Sequence, residues 1–221
     1  MSGGAIVSRL GRPLVLGLAG GIGSGKSAAA KMLGELGCLV IDSDAEARAA
    51  LEREDVQRTL RSWWGDGVFD ATGSVDRKAV GAIVFSDAAE RTRLEGLIHP
   101  LIKRRRSAMI EGAEDRVGVV VDAPLLFEAG IDGECDAVLF IDAPEEDRAA
   151  RVRARGWEEG ELARRESAQM PLEEKRDRSD AVVRNDADLA TLGARVRDAF
   201  VMILERVEAR EARRKGSGGG S

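Results

Sequence analysis

The chain is poor in the features that mark several large protein classes. It holds two cysteines, Cys38 and Cys135, in 221 residues. Their number and spacing fit neither a zinc site nor a disulfide framework. Both border apolar runs, so both are expected as buried free thiols. No apolar run approaches the roughly 18 residues that a membrane span needs, so no membrane association is expected. The opening MSGGAIVSRLGRP is too short and too weakly apolar for a secretory signal. Basic residues are not in excess: 34 Lys and Arg stand against 39 Asp and Glu, a net charge of -5. That balance speaks against a dedicated nucleic-acid binder. No internal repeat is visible. These absences together predict a cytoplasmic protein; a small-molecule substrate and a monomer or weak homo-oligomer are further expectations, and the absences do not supply them.

What the chain does have is a core and a glycine-rich loop. Its 221 residues suit one domain, or a core with inserted lobes, and its 43% hydrophobic content is enough for a core. Its segment GLAGGIGSGKS, Gly17 to Ser27, has five glycines in eleven residues, a poor helix or strand interior. Gly20-x-x-x-x-Gly25-Lys26-Ser27 fits the phosphate-binding P-loop. Backbone N–H groups without intervening side chains can curl around an anion. A following helix aims its positive end at the same point. The flanks fit: LVLGLA, 14–19, reads as a buried strand, and 27–36 as a helix stopped by Gly37.

Further short apolar segments at 38–41, 117–121, 137–141 and 181–183 alternate with helix-period stretches. They predict an α/β fold with a mostly parallel sheet. About 75 residues separate the second strand from the third, far more than one crossover needs. That interval reads as helices over 45–64, 76–85 and 87–114, a helical lobe. Residues 144–180, dense in arginine and acid, have the composition of a mobile helical lid. The terminal GSGGGS, 216–221, is linker-like and lies outside the expected fold.

Several residues then stand out chemically. Lys26 is placed to reach the β- and γ-phosphates, and the Ser27 hydroxyl to ligate Mg²⁺. Asp42 and Asp44 follow the second strand, where open α/β sheets bind ligands. Asp44 suits either a general base for a substrate hydroxyl or the N-cap of a helix starting at Ala45. Asp122, closing the third strand, holds a Walker-B-like position for metal support. Arg148, Arg151 and Arg155 share one helical face suited to polyphosphate. Lys103 to Arg106 read mainly as the wet side of a helix, with His99 nearby, and Trp63 and Trp64 as packing for the lobe. A P-loop alone leaves open a nucleotide or shikimate kinase, or a nucleotide-binding regulator without activity.

Five blocks narrow the choice. GLAGGIGSGKS, LGCLVIDSDAEAR, LEGLIHPLI, DAPLLFEAG and AQMPLEEKRDRSDAVVRND, in this order and spacing, closely resemble dephospho-CoA kinases. The resemblance runs over roughly residues 14 to 200. It implies a P-loop kinase fold: a five-stranded parallel core (12–44, 117–147 and 180–212), a helical CoA-binding lobe (45–116) and a lid (148–179). It implies transfer of the ATP γ-phosphate, with Mg²⁺, to the ribose 3′-hydroxyl of dephospho-CoA. It puts nucleotide binding on Gly20, Gly21, Gly23, Ser24, Gly25, Lys26, Ser27 and Ala28, and catalysis on Asp44, Lys26 and Arg151, with Arg155 beside Arg151; metal support on Ser27 and Asp122 rests on their motif positions. Lys175, the basic position of the lid, and Asn185, expected near the adenine, complete the nucleotide set. Three positions depart from the family pattern. Arg148 stands where glutamine is common, Ala28 where threonine is frequent, and Ser179 where alanine is usual. The first leaves open which lid arginine touches phosphate.

Overall fold

A computed structural model describes residue 6 and residues 8–217. Five strands form the sheet: β1 (Leu14–Gly20), β2 (Leu39–Asp42), β3 (Gly118–Asp122), β4 (Ala137–Asp142) and β5 (Ala181–Arg184). Their order is β2-β3-β1-β4-β5 and the sheet is parallel, as the apolar segments predict. In register, Leu18 faces Asp122 of β3 while Gly20 faces Ile141 of β4. The chain therefore crosses to opposite sides of β1, and β1 ends where such sheets bind ligands.

β1 is buried along its whole length. Leu14, Leu16 and Leu18 project into a core that includes Val120, Leu139 and Ile141. Two helices close that core: α1 (Lys26–Glu35), through Ala29, Ala30 and Leu33, and α9 (Leu189–Ser217), through Leu192, Val196, Phe200 and Ile203. Gly37 stops α1 as expected, at φ 100°, with the Cys38 amide donating back to Leu33 O at 3.1 Å. α9 runs through Gly216 and Ser217, so the linker-like tail begins inside a helix. Residues 218–221 lie outside the described residues.

The described residues fall into two compact units, one up to Ile41 and from Gly112 onward, the other Asp42–Glu111. The second unit is helical: α2 (Ser43–Leu51), α3 (Glu54–Trp64), α4 (Arg77–Ser86) and α5 (Ala88–Glu111). The single helix expected over 45–64 is in fact two. Arg53 is extended, and its guanidinium grips Asp55 at 2.8 and 3.0 Å. Glu54 and Asp55 then place negative charge at a new helix start, where the dipole favours it. Val56, Leu60, Val68, Val75, Val80 and Leu94 form this unit's core, with Trp63 and Trp64 packed on it. The Trp64 indole donates to Glu90 at 2.7 Å and Arg93 stacks over Trp63. The two tryptophans serve this packing, as their position in the lobe suggests.

Between β4 and β5 the first unit carries three short helices, α6 (Glu145–Arg153), α7 (Glu161–Glu166) and α8 (Leu172–Asp177). α6 stops before Arg155, which is exposed, so only Arg148 and Arg151 of the three arginines share a helix. Cys38 is buried as expected, whereas Cys135 is half-buried; neither forms a disulfide among the described residues.

Candidate active site

The loop from Gly20 to Gly25 joins β1 to α1, and its glycines are required by geometry. Gly25 caps α1 in the left-handed region, φ 101°. A Cβ there would lie 2.3 Å from the Asn185 side-chain nitrogen. No side chain caps α1, which leaves its first amides without a side-chain acceptor, the arrangement that suits an anion. The loop closes on itself through the Ser24 amide and Gly21 O, 3.1 Å apart.

Three side chains brace this loop. Lys26 Nζ donates to Gly20 O at 2.9 Å and to Gly21 O at 3.3 Å. Arg151 reaches in from α6, donating to Gly23 O at 3.1 Å and Ser24 O at 3.3 Å. Asn185, just past β5, donates to Ser24 O at 2.7 Å. Ser24 itself is buried, and its hydroxyl has no hydrogen-bond partner among the described residues. The result is a glycine cradle with two cationic side chains on its rim, the donor set that polyphosphate requires.

Residues 166–178 dock on the same unit through ion pairs. Lys175, 2% exposed, donates to Glu128 at 2.8 Å and to Gln169 at 3.0 Å. Glu128 also accepts the Met170 amide at 2.9 Å. Burial pushes the Glu128 carboxyl up, but the hydrogen bonds from Lys175 and from backbone amides outweigh it and hold it below its ordinary value. Arg176 and Arg178 pair with Asp142 and Asp132, both at 2.9 Å.

A family model described as dephospho-CoA kinase matches residues 14–191. The chain belongs to the dephospho-CoA kinase family. A Geobacillus kaustophilus dephospho-CoA kinase is 41% identical, over 78% of this chain and 88% of its own. One from Deinococcus radiodurans is also 41% identical, over 87% and 93%. A crystal structure from Thermus thermophilus, 38% identical, superposes with a TM-score of 0.75 over 86% of this chain and 97% of that one.

Within this dephospho-CoA kinase family member, one of the two acids of the IDSD block caps a helix. Asp42, not Asp44, is the N-cap of α2: its Oδ1 accepts the Ala45 amide at 2.9 Å. Asp42 also pairs with Arg48 at 3.7 Å. The helix starts two residues earlier than expected, so Asp44 lies in its first turn. There it is exposed and makes no hydrogen bond or ion pair among the described residues. The capping reading of Asp44 is thereby removed, and its carboxylate stands free. Asp122 closes β3 as expected.

No cluster of three metal-ligating side chains occurs among the described residues. A divalent cation would therefore need substrate oxygens besides Ser27 and Asp122. That hard-oxygen set suits Mg²⁺, which commonly uses one or two protein groups plus phosphates and water.

Of the basic run, Lys103, Arg104 and Arg105 are exposed, and Arg105 pairs with Glu46 at 2.5 Å. Arg106 is buried. His99 is exposed. Sequence reading did not single out Glu128, Gln169 or Glu166. Their roles depend on partners distant in sequence, and an acid or amide in a charged stretch carries no local mark of that.

Proposed function

We propose that the protein transfers the γ-phosphoryl group of ATP to the ribose 3′-hydroxyl of dephospho-CoA, giving coenzyme A and ADP. One observation carries this: a complete P-loop, Gly20 to Ser27, sits between strand and helix inside a chain that the family model matches from 14 to 191. The first amides of α1 and the glycine cradle bind the phosphates. Lys26 leaves the loop carbonyls for the β- and γ-oxygens, while Arg151 neutralises charge on the migrating group. Asp44 orients the 3′-hydroxyl and accepts its proton as the new O–P bond forms and the bond to ADP breaks. Mg²⁺, when bound, draws charge from the phosphate oxygens, and Ser27 and Asp122 are the residues that would hold it. Segment 148–179 acts as a lid that keeps water from the phosphoryl group. Asn185 supports the nucleotide side of the site through the Ser24 carbonyl that it holds, and Lys175 through Glu128 and Gln169, the first of which accepts the Met170 amide. The proposal includes a cytoplasmic site of action and a monomeric or weakly associating chain. Among the described residues, no helix is long and apolar enough to cross a membrane.

Asp44→Asn tests the assignment of the base. Turnover should fall by roughly 10²- to 10⁴-fold, the usual worth of a general base, with ATP affinity nearly unchanged. Turnover close to that of the wild type would remove Asp44 from the chemistry.

A further inference from the structure

Arg148 is a charged residue in an apolar position. It is 5% exposed, on α6, with its backbone against the P-loop: a Cβ on Gly23 would lie 2.9 Å from Arg148 O. Its guanidinium reaches the loop as well. A Cβ on Gly21 would lie 2.9 Å from Nη1. The Nη1 group donates to Glu166 Oε1, at the end of α7. The buried Nε has no hydrogen-bond partner among the described residues. Gly21 thus stands between two cations, since its carbonyl also accepts from Lys26 at 3.3 Å.

We propose that Arg148 is a phosphate ligand of the nucleotide-loaded enzyme and that Glu166 holds its place until nucleotide arrives. Phosphate oxygens entering the loop take over the guanidinium, and Glu166 is released to water. The chemistry favours such an exchange. A buried guanidinium requires an anion beside it. A triphosphate offers the same forked oxygens as a carboxylate, with more charge. Arg148 is enclosed, whereas the Glu166 side chain is 21% exposed and reaches solvent by rotation. The unpaired Nε gives the guanidinium a further donor for the incoming oxygens. Glu166 is then a built-in competitor of ATP, and nucleotide binding loosens α7 from the loop. The inference rests on the ATP-binding reading above and extends it to a residue outside the motif.

ATP affinity without acceptor, measured by calorimetry on the full chain, tests the exchange. Arg148→Gln should weaken ATP about 10-fold or more, the usual worth of a charged hydrogen bond. Glu166→Gln, which keeps the shape and removes the competing charge, should tighten ATP several-fold. The double variant should match Arg148→Gln. If the pair is only a strut, Glu166→Gln weakens ATP as Arg148→Gln does, and the proposal fails. It fails equally if Arg148→Gln binds ATP as well as the wild type. Should Arg148→Gln not fold, Arg148→Lys combined with Glu166→Gln gives the same contrast. A wild type that binds no ATP overturns the kinase proposal and this one with it; the variant outcomes bear on this one alone.

Discussion

Arg151 and Asn185 meet on a single carbonyl, that of Ser24. The Asn185 amide donates to it at 2.7 Å and the Arg151 guanidinium at 3.3 Å; a second Arg151 nitrogen donates to Asn185 O at 3.3 Å. One arginine on α6 and one asparagine after β5 thereby fix the phosphate loop from outside the motif. Asn185 is buried, so Asn185→Ala removes a donor without admitting water freely. The expected cost is about 1–2 kcal/mol, read as a lower melting temperature together with weaker ATP binding. Unchanged melting and unchanged ATP affinity would mean that the Asn185 bond contributes nothing.

The loop glycines differ in what they tolerate. Gly25→Ala forces a side chain into the left-handed region and onto Asn185, at 2.3 Å. It should destabilise the protein by about 1–3 kcal/mol and abolish tight ATP binding. Gly34→Ala, inside α1, places its Cβ 3.5 Å from Val40, an ordinary contact. It should instead stabilise by about 0.4–1 kcal/mol. Thermal unfolding of the two variants side by side checks both signs.

Local pattern made much of this legible. The five strands appear within a residue or so of the apolar segments, because a strand buried on both faces is continuous apolar sequence. The P-loop was readable because its chemistry needs glycine at fixed spacing. Three things were not marked by apolar pattern. The break at Arg53 carries no glycine or proline, only an extended Arg53 paired with Asp55. The cap on α2 falls on Asp42 because the helix begins earlier than its apolar residues suggest. The buried roles of Arg148 and Lys175 depend on Glu166 and Glu128, which a charged composition presents as solvent-exposed.

The Glu128–Lys175 pair ties stability to acid. Its carboxyl lies below the ordinary value of 4.5 in the folded state. A depressed folded pKa gives stability that is complete above the unfolded value and is lost as pH falls through the folded one. Melting temperature from pH 6 to pH 3 should therefore fall more steeply for the wild type than for Glu128→Gln. Parallel curves would show that this pair does not anchor the segment.

The two thiols should separate by reactivity. Burial pushes Cys38 up to about 12, so at pH 8 only about one thiol in 10⁴ is ionised. Cys135 is half-buried. Iodoacetamide at pH 8, followed by peptide mass analysis, should label Cys135 while Cys38 stays unmodified until the protein unfolds. Equal labelling of the folded protein would contradict the burial of Cys38.

The most direct measurement is ADP release with ATP and Mg²⁺ across an acceptor panel of dephospho-CoA, AMP, UMP, shikimate and no acceptor. Release that depends on dephospho-CoA alone, with coenzyme A identified by mass as the product, is the expected result. Comparable release with another acceptor, or ATP binding without turnover on any of them, would contradict it.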